Sequence, residues 1–391
     1  MATGLNAAVS GLGLAGLRRS QPLGAGALAL QAVAGAMNDA GLKHGDIDGL
    51  LISNSSVSHD QDVNLRLQRA AGLRDLRLLQ FIDGEGTSAL QMLHTAALAV
   101  SAGMANHVVC VFADAPLRGG KSGAQAFGGV KSLSGMAGLR YSSGLFGAPA
   151  IYAMAARRHM ARYGTTVEHF GAVALAARAW AVLNPAAVFR EPLTMEAYLA
   201  SRMIAEPFRL LDCATPVDGA IAVIVSATKR AADLRQPPVH ILGLGQGHPA
   251  SPRQRPFDSE TVSGAPMAKA TAFRMAGITE KDVDMLQLYD AFTYMSLLAL
   301  EEYGFCAKGD AGPFIAAGHT GPAGSLPVNT GGGQLSGYYL QGMTPLSEAI
   351  VQLRGQGGAR QCARHDIALV TNEGGHFEFH ACAVLGAAHV H

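Results

Sequence analysis

A helix–turn–strand segment occurs twice in this chain of 391 residues, and the repeat limits the possible folds more than any other feature. Residues 40–52 contain Ala-Gly-Leu, Asp-Ile-Asp and Leu-Leu-Ile in that order, and residues 276–288 contain Ala-Gly-Ile, Asp-Val-Asp and Leu-Gln-Leu at the same spacing. In each copy the glycine predicts a left-handed helix end, and the acidic segment turns the chain into a strand. The repeat indicates a duplicated αβ unit, with chance recurrence of a common turn as the alternative.

The pattern of apolar residues predicts the α/β class. Continuous runs rich in β-branched residues are typical of strands buried on both faces, and longer helical stretches separate these runs. In the first part of the chain we predict strands at 7–10, 47–52 and 107–112, and helices at 28–40 and 87–102.

The chain divides into two predicted halves at a linker-like stretch around residues 229–239, which contains Arg-Gln-Pro-Pro. We therefore expect an N-terminal half over residues 1–233 and a C-terminal half over 239–391. Within the first half, residues 116–148 are rich in glycine and serine and lack a clear periodicity. This segment is too long for an ordinary connection, so we predict a functional insertion near a subunit interface or over a pocket.

The composition excludes several classes of partner. Thirty basic and 29 acidic residues give a net charge of +1, so no overall field attracts nucleic acid or a membrane surface. No uninterrupted run of about 18 apolar residues predicts a membrane span. The five cysteines are scattered without a CxxC pair, which is typical of a reducing compartment. We therefore expect a cytoplasmic protein with no nucleic-acid or membrane partner.

Two motifs resemble cofactor or metal sites, and neither fits well. Residues 11–16 match GxGxxG, but the dinucleotide fingerprint requires an acid at the end of the next strand, which is absent here. A tight glycine turn is the simpler interpretation. Residues 376–380 read His-Phe-Glu-Phe-His, and on a strand the three polar side chains would share one face. Three such ligands rarely converge on one ion, so we predict no metal site.

Four segments together resemble motifs of one enzyme superfamily. They read Arg-Leu-Leu-Asp-Cys-Ala-Thr-Pro-Val-Asp-Gly-Ala at 209–220, Tyr-Asp-Ala-Phe at 289–292, Asn-Thr-Gly-Gly-Gly-Gln-Leu-Ser-Gly at 329–337 and Asn-Glu-Gly-Gly at 372–375. Their order and spacing resemble the thiolase superfamily, and most closely its sterol-carrier and lipid-transfer branch. The resemblance implies the thiolase fold, in which two duplicated αβα halves stack into a five-layered αβαβα structure.

The chain departs from the thiolase pattern at the reactive positions. Aligning residues 86–90 with the family's Gly-Ser-Thr-Ala-Leu puts the nucleophile position, where thiolases have cysteine, at or near Asp83. The two family histidines align with Tyr289 and Tyr338, and the second cysteine position lies near Asn372. Without a thiolate no acyl-enzyme thioester can form, so ordinary thiolase chemistry is not expected.

Tyrosines stand near these positions instead. The runs at 289–294 and 337–339 resemble those of the thiolase-like lyases of steroid side-chain degradation, which cleave β-hydroxyacyl-CoA thioesters by a retro-aldol reaction. The resemblance implies catalytic roles for Tyr294 and Tyr339, with Tyr338 as the neighbouring candidate. His376 is a candidate donor beside the glycine loops at 331–333 and 374–375, whose N–H groups could stabilise the thioester oxyanion.

The same resemblance implies the partners. We expect an acyl-CoA substrate, with coenzyme A as part of that substrate and no tightly bound cofactor, a homodimer, and a small OB-fold partner protein of the DUF35 type. Two other functions stay open from the sequence: an acyltransferase in which an unexpected residue carries the acyl group, and a non-catalytic scaffold subunit. The sequence leaves open the acyl chain, the tyrosine that serves as base, and the role of Asp83.

Overall fold

The computed structural model describes residues 5–55, 62–127, 134–145, 147–249 and 263–390. The elements before residue 235 are β1 (Ala8–Arg18), α1 (Ala25–Ala40), β2 (Gly49–Asn54), α2 (Leu67–Ala70), β3 (Leu78–Phe81), α3 (Ser88–Ser101), β4 (His107–Asp114), α4 (Gly123–Phe127), α5 (Gly135–Ser142), α6 (Gly147–Tyr163), α7 (Val167–Val182), α8 (Met195–Leu199), β5 (Met203–Ala205), β6 (Phe208–Arg209), β7 (Asp218–Ser226) and α9 (Thr228–Ala231). The five elements predicted above are present, and β1 is longer than expected because it continues to Arg18.

The elements after residue 235 repeat part of this order. They are β8 (Val239–Gly247), α10 (Ala265–Ala276), β9 (Met285–Gln287), α11 (Thr293–Glu302), α12 (Ala311–Ala316), α13 (Met343–Leu353), β10 (Ile367–Gly374) and β11 (Phe379–Gly386). A π-helical turn, Gly333–Gly337, precedes α13. No helix in the described part of the chain is long and apolar enough to cross a membrane.

The strand order shows the duplication directly. Strands β1, β7, β4, β2 and β3 lie side by side in that order, and β8, β11, β10 and β9 extend the sheet from β1 in the opposite direction. Both series begin with two antiparallel pairings and continue with a parallel one. The two series meet where Ala8 and Val9 pair with His240 and Val239.

The repeated sequence segments have the same local structure in both halves. Gly41 and Gly277 end α1 and α10 with left-handed φ angles of 75° and 68°. The acid that follows, Asp48 or Asp284, accepts two consecutive backbone N–H groups at the start of a neighbouring strand. The repeat therefore arises from duplication rather than from chance recurrence of a turn.

Apolar residues alternate between three buried clusters, which define five layers. Along β2, Leu50 packs towards α1 whereas Leu51 packs towards α3. Along β10, Leu369 packs towards α10 and α11 whereas Val370 packs towards α13. Helices α3 and α13 thus form a central layer between the two sets of strands, and α1 and α10 lie outside them. The predicted five-layered αβαβα fold is confirmed.

The glycine-rich motif at residues 11–16 is part of strand β1, so its interpretation as a tight turn was wrong. Its glycines let helix α1 approach the strand: a Cβ on Gly13 would lie 2.0 Å from the Ala32 carbonyl oxygen. Strand β8 repeats this arrangement, since a Cβ on Gly245 would lie 1.8 Å from the Ala268 carbonyl oxygen. The glycines are therefore required for helix–strand packing rather than for binding a dinucleotide.

We predict that Gly13→Ala and Gly245→Ala each lower the free energy of unfolding by about 1–3 kcal/mol, because a methyl group cannot enter against a backbone oxygen. Gly45→Ala is the matched control, since its Cβ would meet nothing within 4 Å. That control should change stability by no more than about 0.5 kcal/mol. Chemical denaturation measures all three, and equal stability of the Gly13 and Gly45 variants would refute this packing account.

Candidate active site

Two tyrosine hydroxyls meet beyond the end of β9, and this contact is the centre of the candidate site. The Tyr289 and Tyr339 oxygens lie 3.1 Å apart, and the two rings stand at 79° to each other. Beside Tyr289, the Leu288 N–H donates to the Asn329 side chain at 2.6 Å. The Tyr339 N–H donates to the Thr215 carbonyl oxygen at 2.9 Å. Backbone contacts on both sides therefore fix how close the hydroxyls lie.

Asp290 anchors the π-helical turn that leads to Tyr339. Its Oδ1 accepts the Gln334 N–H at 2.8 Å, and a Cβ on Gly333 would lie 2.0 Å from its Oδ2. Gly333 has a φ of +58°, so both its backbone conformation and this close approach require glycine. Burial raises the pKa of Asp290 to about 7. Asp290, the motif residue next to Tyr289, therefore has a structural role.

Burial makes the loss of a proton from either hydroxyl of the pair still less favourable than in water. It raises the pKa of Tyr339 to about 12, although the hydrogen bond with Tyr289 lowers that pKa. It also raises the pKa of Tyr289 well above the ordinary value near 10, and Tyr339 raises it further. Phe127 of α4 packs edge-on against the Tyr339 ring at 6.3 Å between centroids. Part of the segment at 116–148 thus packs against the pair.

The loop that precedes α3 places a glycine, Gly86, rather than a cysteine next to the tyrosine pair. Asp83, at the expected nucleophile position, is exposed, and its carboxylate accepts the Glu85 N–H at 3.2 Å. A Cβ on Gly86 would lie 2.9 Å from the Tyr289 hydroxyl and 1.8 Å from the Glu373 carbonyl oxygen. The loop backbone therefore lies directly against Tyr289, and the Asp83 side chain has a local role in the turn.

None of the cysteines has the character of a nucleophile. All five are free thiols, and burial raises the pKa of each one above its ordinary value. The pKa reaches about 11 for Cys306 and about 12 for Cys213, Cys362 and Cys382. A nucleophilic cysteine needs the opposite shift, because only the thiolate attacks a thioester.

Tyr152 and Glu373 lie beside the tyrosine pair, and these four side chains together form what we call the tyrosine chamber. The sequence analysis did not identify either Tyr152 or Glu373. The Tyr152 ring, on α6, lies 4.8 Å from Phe292 and 4.7 Å from Phe377 between centroids, and its hydroxyl hydrogen-bonds the Glu373 carboxyl. Burial raises the pKa of Glu373 well above its ordinary value. No motif marked Tyr152, whereas Glu373 lies inside the Asn-Glu-Gly-Gly segment and was passed over.

His376 lies at the edge of this chamber, on a turn and not on the predicted strand. Strand β10 ends at Gly374 and β11 begins at Phe379, and His376 has a left-handed φ of 55°. Its half-buried ring lies 5.7 Å from that of Tyr152. The interpretation of residues 376–380 as one continuous strand was therefore wrong. Among the described residues no three His, Cys, Asp or Glu side chains converge to hold a metal ion.

Tyr294 and Tyr338 lie in separate hydrophobic surroundings. Tyr294, 1% exposed at the start of α11, packs edge-on against His159 at 5.5 Å and Phe170 at 6.4 Å between centroids. The Tyr338 hydroxyl lies 3.4 Å from the Ser347 hydroxyl on α13. The hydroxyl that meets Tyr339 is therefore that of Tyr289, and the structure pairs neither Tyr294 nor Tyr338 with it.

The loops expected to stabilise an oxyanion already use some of their N–H groups. The Gly375 N–H donates to the Glu85 carboxylate at 2.8 Å, and the Gly332 N–H donates to the Asn329 carbonyl oxygen at 2.9 Å. Asn372, at the second cysteine position, accepts the Leu90 N–H of α3 at 3.2 Å. Each of these contacts positions a loop around the tyrosine pair.

Comparison with known proteins identifies the family. Residues 250–387 match the family described as thiolase C-terminal domain-like. A 17-hydroxy-3-oxo-4-pregnene-20-carboxyl-CoA lyase from Mycobacterium tuberculosis is 38% identical over 359 residues, which cover 89% of this chain and 92% of the relative. A steroid side-chain-cleaving aldolase from Thermomonospora curvata is 36% identical over 360 residues, which cover 89% of this chain and 90% of that protein.

A solved structure agrees with these relatives. The Ltp2-ChsH2(DUF35) aldolase superposes with a TM-score of 0.86 at 33% identity, and the match covers 100% of both chains. The fold, the strand duplication and the sequence relatives lead to the same assignment. The chain therefore belongs to the thiolase superfamily, in its sterol-carrier-type branch beside the steroid side-chain-cleaving aldolases.

Proposed function

We propose that this protein is a carbon–carbon lyase that cleaves a β-hydroxyacyl-CoA with a steroid or similar side chain by a retro-aldol reaction. The observation that carries the proposal is the buried contact between the Tyr289 and Tyr339 hydroxyls in a chamber that lacks a reactive thiol. The two relatives named as a lyase and an aldolase, and their high coverage, support the same chemistry.

The hydroxyl pair can move protons without forming a free phenolate. In the proposed step the substrate β-hydroxyl gives its proton to Tyr339, Tyr339 gives its own to Tyr289, and Tyr289 protonates the enolate carbon. The bond between the α and β carbons breaks, the β carbon becomes a carbonyl, and a shorter acyl-CoA is released. All protons balance within this cycle. Since burial disfavours either phenolate, a concerted transfer avoids an unfavourable intermediate.

Tyr339 is the proposed point of contact with the substrate hydroxyl because it is the more accessible ring of the pair. The thioester oxygen becomes negatively charged as the enolate forms, so it requires hydrogen-bond donors. We propose His376 and the N–H groups of the loop around Gly374 as donors, since the His376 ring already lies at the chamber edge. Catalytic roles for Tyr294 and Tyr338 stay predictions, and the geometry favours Tyr289.

The acyltransferase alternative lacks a chemical group to carry the acyl chain. Burial raises the pKa of every cysteine thiol, and the exposed Asp83 carboxylate accepts the N–H of its neighbour Glu85. The scaffold alternative does not explain why two hydroxyls are held together in a buried chamber. The retro-aldol reaction uses the groups that are present.

We also propose that the protein is cytoplasmic, forms a homodimer and binds a DUF35-type OB-fold protein. Five free cysteines suit a reducing compartment. Strand β3 is the last strand of the sheet and carries Phe81, 40% exposed, so a second copy could continue the sheet there. The structure whose name includes ChsH2(DUF35) supports a partner of that type.

We predict that Tyr289→Phe and Tyr339→Phe each lower kcat for a steroid β-hydroxyacyl-CoA by about 10²–10⁴-fold, because each removes one hydroxyl from the relay. Tyr294→Phe is the matched control and should retain activity within about threefold of the wild type. Release of the shorter acyl-CoA measures turnover, and unchanged thermal midpoints check the fold. If Tyr294→Phe alone lost activity, Tyr294 rather than Tyr289 would be the catalytic residue, and the proposed role of the Tyr289–Tyr339 pair would be refuted.

The raised pKa values predict the pH dependence. A mechanism that starts from free phenolate would accelerate about tenfold per pH unit up to a pKa near 12, because the reactive form would increase with pH. The proposed transfer starts from the neutral pair, so kcat should not rise between pH 8 and pH 10. Steady-state rates over this range test the point, and a tenfold rise per unit would contradict it.

The partner proposal predicts co-purification. Expressed together with a DUF35-type OB-fold protein, the chain should elute as a complex larger than its own homodimer in size-exclusion chromatography with light scattering. An unrelated OB-fold protein serves as the control. Elution of two separate species at micromolar concentration would argue against this partner.

A further inference from the structure

A small cavity borders Tyr289 and Asn372 on the side of helix α11. Four polar atoms on residues lining it have no hydrogen-bond partner of good geometry among the described residues: Glu302 Oε2, Tyr303 Oη, Glu373 Oε1 and His380 Nε2. These four side chains are between 2% and 8% exposed. A buried polar atom without a partner costs free energy, so four around one space indicate that something occupies it.

The fold brings these groups together from two layers. Glu373 on β10 and His380 on β11 stand directly opposite each other in the strand pairing, so their side chains share one face. Glu302 and Tyr303 come from the end of α11, which packs over that face. The cavity is therefore a fixed feature of the C-terminal half and not a gap in a loop.

The chemistry of the four atoms matches water. Glu302 pairs with the Lys308 ammonium at 3.2 Å through Oε1, so its Oε2 is an acceptor. Burial lowers the pKa of His380 to about 4, and its hydrogen bond with the Phe377 backbone leaves Nε2 as an acceptor. The Tyr303 hydroxyl hydrogen-bonds the Cys382 sulfur, so its oxygen is a further acceptor towards the cavity. A water molecule can donate to such acceptors and can also accept a hydrogen bond, which a donor on the cavity wall must supply.

Glu373 can supply that bond only as a neutral acid. No cation neighbours its carboxyl among the described residues, whereas Glu302 has Lys308. Two buried carboxylates facing one cavity with a single cation cannot both be ionised at low cost. We propose that this cavity binds a water molecule and keeps Glu373 as a neutral acid next to the Tyr152 hydroxyl. Glu373 is then the positioning residue of the tyrosine chamber.

This role deepens the proposed function and rests on it. The enolate and its thioester oxygen carry negative charge, and a carboxylate next to Tyr152 and Tyr289 would repel that charge. A neutral Glu373 hydrogen-bonds the Tyr152 hydroxyl without adding charge to the chamber. The titratable groups that face Glu373 are Tyr152 from α6, Tyr289 beyond β9, Glu302 and Tyr303 at the end of α11, and His380 from β11.

Infrared difference spectroscopy tests the protonation state without any substrate. At pH 8 the wild type should show the carbonyl stretch of a protonated carboxylic acid, shifted in D₂O, and Glu373→Gln should lack it. In Glu302→Gln the band should vanish at a lower pH than in the wild type, because the Glu302 charge helps to keep Glu373 neutral. Ser296→Ala, also buried on α11 but outside the cavity lining, is the control and should match the wild type.

A wild type and Glu373→Gln with identical spectra would overturn the proposal, as would a Glu302→Gln titration that moves to higher pH. If no form of the protein cleaves an acyl-CoA, the proposed function fails, but the infrared result still decides the state of Glu373.

Discussion

Burial of acidic side chains away from solvent is the constraint on which this active site depends. Tyr289, Tyr339, Tyr152 and Glu373 are packed together with little solvent, and burial is the largest cause of the raised pKa of each one. Burial therefore disfavours the loss of a proton from each of these four groups. Such a site is poorly suited to form a thiolate or phenolate in advance, and well suited to pass protons along neutral hydroxyls as a carbon–carbon bond breaks.

The duplicated fold supplies the rigidity that this chemistry needs. The tyrosine pair belongs to the C-terminal half, yet Gly86 in the loop before α3 lies against the Tyr289 hydroxyl. Helices α3 and α13 share one apolar cluster with strands of both halves, so the loop and the pair cannot shift independently. The thiolase scaffold thus keeps its geometry while the residue at the nucleophile position becomes an exposed aspartate.

The sequence predicted the fold well because duplication and periodicity leave marks that one chain can show. The paired glycines Gly41 and Gly277 located the repeat, and buried apolar runs located the strands. The strand glycines were misinterpreted, since a close helix contact such as that of Gly13 with Ala32 cannot be distinguished from a turn by composition. At the site, motifs led to Tyr339 and His376. They favoured Tyr294 over Tyr289, because which of two tyrosines five residues apart reaches Tyr339 depends on where β9 ends and α11 begins. Tyr152 comes from a distant helix, so only the three-dimensional packing shows it.

The central claim is that two or more protons move together through a pair of neutral tyrosines. A proton inventory tests this most directly: kcat for the cleavage of a steroid β-hydroxyacyl-CoA is measured in mixtures of H₂O and D₂O at pH 8 under conditions where bond cleavage limits the rate. A concerted relay predicts a curved dependence on the deuterium fraction, because several transferred protons contribute to the isotope effect. A straight line, which indicates a single proton in the limiting step, would contradict the relay.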